Sequence, residues 1–364
     1  MKSTRTSEAA WLDKYSRWQV NVQKDGVRRS FYSTTPSKRG KADAERKADL
    51  WLTSGVGKDV RFEVAWDGYL NHVQATTKTE SYLKAESIGR IWFAELKKRR
   101  LSSIAPGDFQ EIIERAGIEG KAKRTCGNIR AQAVAFYMYC KSKRHPLEDP
   151  RPLNVPTSAP VGERTILQPE KIKTLFSDDT TTWRGKVVCD PLIYAYRFLF
   201  LVALREGELC GIRKEDIKDG VLHLTRAFNR LGEQTTGKNK NARRVIVLPE
   251  TAVSVLEAQK AALKERGIIS PWVFPASNGE RLDNHYFYKS WKRYGEAHGI
   301  STTVHELRHS AISVLKADLP LALMKKPIGH SASMDTLGTY GHEVDGDAQR
   351  AAEIMEQVYR KMIR

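Results

Sequence analysis

The chain of 364 residues is long enough for two or three domains, each able to bury a core of its own. Lys and Arg number 61 against 43 Asp and Glu, a formal charge of +18 with a pI near 9.7, and such an excess favours a polyanionic partner, nucleic acid or an acidic membrane surface. A membrane-spanning protein is disfavoured, because the longest strongly apolar run, FLFLVAL at 198–204, is too short to cross a bilayer.

The opening MKSTRTSEAAW lacks the apolar segment of a signal peptide. Residues 1–60 are basic and read as a small β-rich module followed by a helix. RWQVNV and RRSFYST alternate polar and apolar residues, and the Asp-Gly of QKDGV supplies a hairpin turn between them. KADAERKADLWL places Ala44, Ala48, Leu52 and the neighbouring Trp51 at helical spacing. Arg28, Arg29, Lys38, Arg39 and Lys41 cluster around this module. A charge run alone is commonly a solvated face; the overall charge turns the expectation towards a DNA-contacting arm.

Residues 61–150 read as helical. SYLKAESIGRIWFAELKKRR carries an apolar stripe through Leu83, Ile88, Ile91, Trp92 and Leu96 and ends in Lys97, Lys98, Arg99 and Arg100. GDFQEIIERAG and NIRAQAVAFYMYCKSKR share the period. A helical module tipped with cations suits backbone clamping on a duplex. The five prolines of HPLEDPRPLNVPTSAPVGE remove backbone donors and mark a linker at 151–162. Cys126, Cys140, Cys189 and Cys210 are scattered without CxxC spacing, the pattern of reduced thiols in a cytosolic protein. Nucleic acid is then the expected partner.

From 163 to 364 helices alternate with a strand pair. Pro169 in QPEKIKTLF suits a first helical turn. LIYAYRFLFLVAL is apolar nearly all round, as a central buried helix is. VLHL and RRVIVL read as strands joined by the polar, lysine-rich GEQTTGKNKNA. AVSVLEAQKAAL, NHYFYKSWKRYGEAHG, VHELRHSAISVLKA and AQRAAEIMEQVYRKMI read as further helices.

HELRH at 305–309 admits two readings. It matches the zinc-protease pattern H-E-x-x-H, but a zinc protease needs a third protein ligand, and the extended motif's Gly and His positions hold Ile312 and Leu315. Thr303 and Glu306 instead have the spacing of a capping box, which assigns Glu306 to the start of a helix rather than to base catalysis. His305 and Arg308 then occupy the opening turns, where unpaired N–H groups and the dipole favour an anion.

Four more stretches complete a pattern. ALREGEL ends the apolar helix with Arg205, and Glu208 is a natural partner for a guanidinium at the edge of a core. GKNKNARRVIVL carries Lys238; Lys240 is a second candidate there, and counting back from RRVIVL selects Lys238. PIGHSA places His330, and TLGTYGHE places Tyr340 ten residues later.

The order Arg…Lys…His-x-x-Arg…Gly-His…Tyr over residues 163–364 resembles the tyrosine recombinase (phage integrase) family, and the upstream layout is similar to integrases with an arm-binding domain. The resemblance implies a multidomain fold. It has a β-rich arm-type module at 1–60, an all-α core-binding domain at 61–150 and a linker at 151–162. A mainly-α catalytic domain with a small antiparallel sheet, the DNA breaking–rejoining fold, follows at 163–364. By the same resemblance Tyr340 attacks a DNA phosphate and leaves a 3′-phosphotyrosyl link. Arg205 and Arg308 grip the non-bridging oxygens, His305 and His330 add hydrogen bonds, Lys238 protonates the leaving 5′ oxygen, and Glu208 orients its neighbours. Arg28, Arg29, Lys38, Arg39, Lys97, Lys98, Arg99 and Arg100 are the expected DNA contacts, and no metal or other cofactor is called for.

Phosphoryl chemistry explains these residue types. The pentacoordinate transition state carries extra negative charge, which fixed guanidinium and imidazole donors stabilise more than the ground state. Arginines suit planar, bidentate contact and stay charged. A phenol with a free pKa of about 10 needs a base or a cationic pocket, and a 5′-alkoxide leaves badly unless protonated.

The resemblance further implies double-stranded DNA with core and arm-type sites, a homotetramer on DNA, accessory DNA-bending or excision factors, and a nucleoid setting in bacterial cytoplasm. The final helix carries Ala351, Ile354, Met355, Val358 and Met362 on one face; it packs on its own domain or, by the resemblance, docks into a neighbouring protomer. The implied function is site-specific cutting and rejoining that integrates or excises a mobile element. The alternatives are a type IB topoisomerase, a DNA-binding regulator without the chemistry, and the zinc protease.

Overall fold

The computed structural model describes residues 7–24, 27–53, 59–162, 165–235, 243–320, 323–324 and 346–363. The chain divides into two compact units, residues 1–162 and 163–364.

The first unit opens with an antiparallel sheet of β1 (Ala10–Leu12), β2 (Arg17–Lys24) and β3 (Val27–Ser33), in that order. β2 and β3 pair from Trp18↔Ser33 to Lys24↔Val27. Period-two alternation sets the faces. Trp18, Val20 and Val22 pack towards α1 (Lys38–Thr53), whose Ala44, Ala48, Trp51 and Leu52 complete a small core. Arg17, Gln19 and Asn21 line the opposite face with Arg28 and Ser30 of β3.

A second core lies among α2 (Phe62–Thr76), α3 (Thr79–Ile91), α4 (Pro106–Ile118) and α5 (Lys123–Ser142), around Phe62, Trp66, Phe93 and Phe136. The stripe expected between residues 81 and 100 is only partly realised. α3 stops at Ile91, and both Leu83 and Ile91 are exposed. Lys97 to Arg100 follow a tighter turn at Ala94–Leu96 instead of tipping a helix; Trp92, Phe93 and Leu96 are all drawn into the core there, and Arg100 is bridged to Arg61 in extended conformation. The proline-rich segment is free of helix and strand, yet Leu153 and Ala159 are buried in this helical core.

The second unit starts with α6 (Pro169–Ser177), Pro169 in its first turn. A hairpin of β4 (Thr180–Trp183) and β5 (Lys186–Cys189) follows. α7 (Ile193–Val202) is buried on every side except at Tyr194. After it come α8 (Glu206–Leu209), β6 (Ile217–Lys218), β7 (Val221–Leu224), β8 (Ala227–Phe228), β9 (Gln234–Thr235) and β10 (Arg244–Val247). They form a sheet in the order β10-β7-β6 and a separate β8–β9 pair. β7 and β10 are the strand pair expected from VLHL and RRVIVL, with Arg244 opposite Leu224.

Around α7 pack α9 (Glu250–Glu265), α10 (Asn284–His298), α11 (Val304–Leu315) and α12 (Asp347–Ile363). α12 sits on its own unit. Ala351, Met355, Val358 and Tyr359 are buried, and the Tyr359 ring lies 5.8 Å from that of Phe200. Glu356 accepts the Thr251 backbone N–H at 2.7 Å and its hydroxyl at 2.8 Å, at the start of α9. Within this chain the helix thus packs against α7 and the start of α9. Among the described residues no helix is long and apolar enough to cross a membrane, and the four cysteines are free thiols, three of them buried.

Candidate active site

The site grows from the end of α7. Ala203 closes that helix in the left-handed conformation, φ 50° and ψ 42°, its N–H turned back to the Leu199 and Phe200 carbonyls. A left-handed alanine costs roughly 1–2 kcal/mol. The turn it makes ends the apolar segment and sets Arg205 at the N-cap of α8.

Glu208, one turn further on, is 2% exposed. Its carboxylate accepts the Arg205 backbone N–H at 3.0 Å and the Arg205 Nη1 at 2.8 Å. Arg244, at the head of β10, forks onto the same carboxylate. Burial works to raise this carboxyl, but the hydrogen bonds and charges of Arg244 and Arg205 outweigh it and hold it at about 2. Gly207 completes α8 for steric reasons: a Cβ there would meet the Phe228 carbonyl oxygen of β8 at 2.2 Å.

α11 brings the second half. Thr303 caps it and Glu306 reaches back, as the sequence spacing predicts: the Thr303 hydroxyl accepts the Glu306 N–H at 3.3 Å, and Glu306 Oε2 accepts the Thr303 N–H at 2.7 Å. The other oxygen, Oε1, accepts the Thr165 N–H at 3.1 Å. Glu306 is thus committed to backbone, and among the described residues no group of three or more His, Cys, Asp or Glu side chains is placed to hold a metal ion. His305 and His309 meet edge to face, centroids 4.8 Å apart.

Arg308 is 3% exposed and donates from Nη1 to the Ala203 carbonyl. Burial, and next the positive charge of Arg205, push this guanidinium down to about 9. It is still protonated at neutral pH, and an anion entering beside it would relieve both penalties. His305 is half exposed, its Nδ1 3.4 Å from Oε2 of Glu206. Burial raises the Glu206 carboxyl, but His305, the Glu206 backbone N–H and the charge of Arg230 together leave it below the usual range.

The structure therefore brings together Arg205, Glu208, His305 and Arg308. Lys238, His330 and Tyr340 lie outside the described residues. Sequence reasoning missed Arg244 and Glu206. Arg244 was within reach, because RRVIVL read as a strand puts residues 244, 246 and 248 on one face, and Ile246 and Leu248 belong inside.

In the first unit the expected DNA contacts differ in setting. Arg28, Lys38, Arg39, Lys97 and Lys98 are exposed. Arg29 lies over the Trp51 ring at 5.9 Å. Arg99 is bound to Asp108 at 2.5 Å and to the Ser103 carbonyl, and Arg100 to the Asp59 carbonyl at 2.7 Å.

A buried guanidinium held by a backbone carbonyl, beside a half-buried one held by a carboxylate and flanked by an exposed imidazole, can seat a tetrahedral oxyanion and stabilise charge that develops on it. Residues 167–346 match the phage integrase family. The protein called tyrosine recombinase XerC-like in Caldanaerobacter subterraneus subsp. tengcongensis is 23% identical over 399 aligned residues, covering 95% of this chain and 97% of its own. The Tn1549 transposon integrase, solved with transposon right end DNA, is similar in fold with a TM-score of 0.61 and 20% identity, over 79% of this chain and 98% of that one. Lambda integrase, solved as a tetramer bound to a Holliday junction, has a TM-score of 0.57 and 16% identity, over 90% of this chain and 97% of that one.

Proposed function

The chain belongs to the phage integrase family of tyrosine recombinases, and from that premise we propose that it cuts and rejoins DNA at defined sites to integrate or excise a mobile element. The observation that supports this most is the burial of Arg308 beside Arg205, with Glu208 and the Ala203 carbonyl holding the two guanidinium groups in place.

In this reading Arg205 and Arg308 bind the non-bridging oxygens of the scissile phosphate, and His305 and His330 donate further hydrogen bonds. The Tyr340 oxygen attacks phosphorus, its phenolic proton passing to His305, and forms a 3′-phosphotyrosyl bond. The P–O5′ bond breaks, and Lys238 delivers the proton that the departing 5′ oxygen needs. Rejoining reverses these steps with a new 5′ hydroxyl, so the phosphodiester energy is conserved. Glu208 and Arg244 act through the arginine that they position.

The partners in this proposal are double-stranded DNA and three further copies of the chain. Residues 1–60 take arm-type sites, where the polar sheet face with Arg17, Gln19, Asn21, Arg28 and Ser30 is the supporting feature. Residues 61–150 take core sites, and 151–162 join them to the catalytic residues 163–364. Accessory DNA-bending or excision factors complete the assembly, in bacterial cytoplasm at the nucleoid.

The test is a nicked suicide substrate incubated with the full chain in EDTA. A covalent protein–DNA adduct that Tyr340→Phe abolishes is the expected result. An adduct unaffected by that substitution, or one that requires a divalent ion, defeats the proposal.

A further inference from the structure

The β4–β5 hairpin takes no part in the arginine cluster. Trp183 pairs with Lys186 across a two-residue turn, Arg184 and Gly185. Both turn residues have positive φ, 50° and 75°, the type I′ geometry that suits a twisted two-stranded ribbon. Gly185 adopts this freely; Arg184 does so at a steric cost that asparagine or glycine would reduce. A cation stands where local conformation disfavours it.

Trp183 is 50% exposed. Two guanidinium groups lie over its ring, Arg184 at 5.8 Å and Arg293 of α10 at 4.6 Å. Lys186 follows the turn and is exposed, and no acidic residue occurs from Thr180 to Cys189. The stem, by contrast, is anchored. Thr181 is buried, His298 Nε2 lies 2.8 Å from the Thr180 carbonyl, and the Asp190 N–H donates to the Asp179 carbonyl at 2.7 Å. The cations are therefore presented by a fixed element.

α10 ties this tip to the candidate site. At its start Asn284 Nδ2 donates to the Phe228 carbonyl at 2.9 Å, the same oxygen that excludes a side chain at Gly207. Arg293 comes nine residues later, about 13 Å along the helix axis. A duplex whose scissile phosphate sits between Arg205 and Arg308 carries a charge every 1.7 Å or so of its axis and reaches well past that distance.

Resting on the function proposed above, we propose that the β4–β5 tip is a second DNA contact of the catalytic unit, in which Arg184, Lys186 and Arg293 bind backbone phosphates beside the cleavage point and Trp183 holds the two guanidinium groups in register. Charge complementarity selects this occupant: a short basic ribbon, free of carboxylates at its tip, against a polyanion.

The experiment is a titration of a fluorescein-labelled duplex of about 30 base pairs with the full chain at several salt concentrations, since each phosphate contact adds close to one to the slope of log K against log salt. Arg184→Ala with Lys186→Ala is expected to bind more weakly and to lower that slope by about two, with an unchanged melting temperature. The charge-keeping pair Arg184→Lys with Lys186→Arg is expected to restore the slope. If the parent binds and the alanine pair binds with the same affinity and slope, the hairpin inference alone is overturned. Altered self-association with unchanged DNA binding overturns it too, by making the tip a protein contact. A parent chain that does not bind the duplex removes the inference together with the function it rests on.

Discussion

Arg244 grips Glu208 with two parallel hydrogen bonds, Nη1 to Oε1 at 3.0 Å and Nη2 to Oε2 at 2.9 Å, both side chains being 3% exposed. Arg205 uses the same carboxylate from the solvent side. Arg244 thus fixes Glu208, and Glu208 fixes Arg205. Arg244→Ala leaves a buried carboxylate without its fork, a loss on the order of 3–5 kcal/mol. Arg244→Lys keeps the charge without the planar fork; a smaller loss and slower formation of the Tyr340–DNA adduct are expected. Denaturant midpoints and single-turnover adduct rates check this, and a fully stable, fully active alanine variant contradicts it.

Gly207→Ala tests the approach of β8 to α8. The added carbon must displace backbone, because the atom it meets is the Phe228 carbonyl. A cost of roughly 1–3 kcal/mol is expected, with adduct formation falling more than duplex affinity. Equal adduct rates in parent and variant would show that α8 can shift without disturbing Arg205.

A pH effect is expected at the foot of β5. Burial raises Asp190 to about 6, against the opposing hydrogen bond from the Leu192 N–H. A carboxyl raised in the folded state supports folding fully below its unfolded value, near 4. That support is lost as pH rises through about 6. Asp190→Asn cannot ionise, so it is expected to melt several degrees higher than the parent at pH 8 and by a clearly smaller margin at pH 4. Scanning calorimetry at the two pH values decides; a gain confined to pH 4 reverses the sign and refutes the assignment.

The C-terminal helix gives a fourth expectation. Tyr359 is fully buried against Phe200, so Tyr359→Ala is expected to destabilise the second unit by about 3–5 kcal/mol. Removing residues 350–364 should then impair folding before it impairs assembly, which circular dichroism melts of the truncated chain would reveal. A truncated chain that melts like the parent places the helix outside the stable core.

The sequence was most legible where partners are close along the chain. The Thr303–Glu306 cap and the Arg205–Glu208 pair are both three residues apart, and both can be read from a single helical turn. Arg244 reaches Glu208 across 36 residues, and no local pattern announces that, although its place on the buried face of RRVIVL does. The β4–β5 hairpin escaped because Arg184 occupies a turn position where asparagine or aspartate is the familiar signal. The end of α3 escaped because Leu83 and Ile91 have helical spacing without burial. Periodicity reports what a face could bury, while the neighbouring elements decide what it does bury. Lys238, His330 and Tyr340 rest on motif order.

The seat of α12 has a thermodynamic corollary. Glu356 satisfies the Thr251 amide at the start of α9, and Arg360 reaches Glu250 beside it at 2.6 Å. Seat and occupant are encoded in one chain, so an identical subunit would offer a vacated tail the same amide, the same aromatic slot and the same carboxylate. Every bond surrendered at home would be remade abroad, and the balance between the two would be governed by local concentration and chain entropy, with contact energy cancelling from the account.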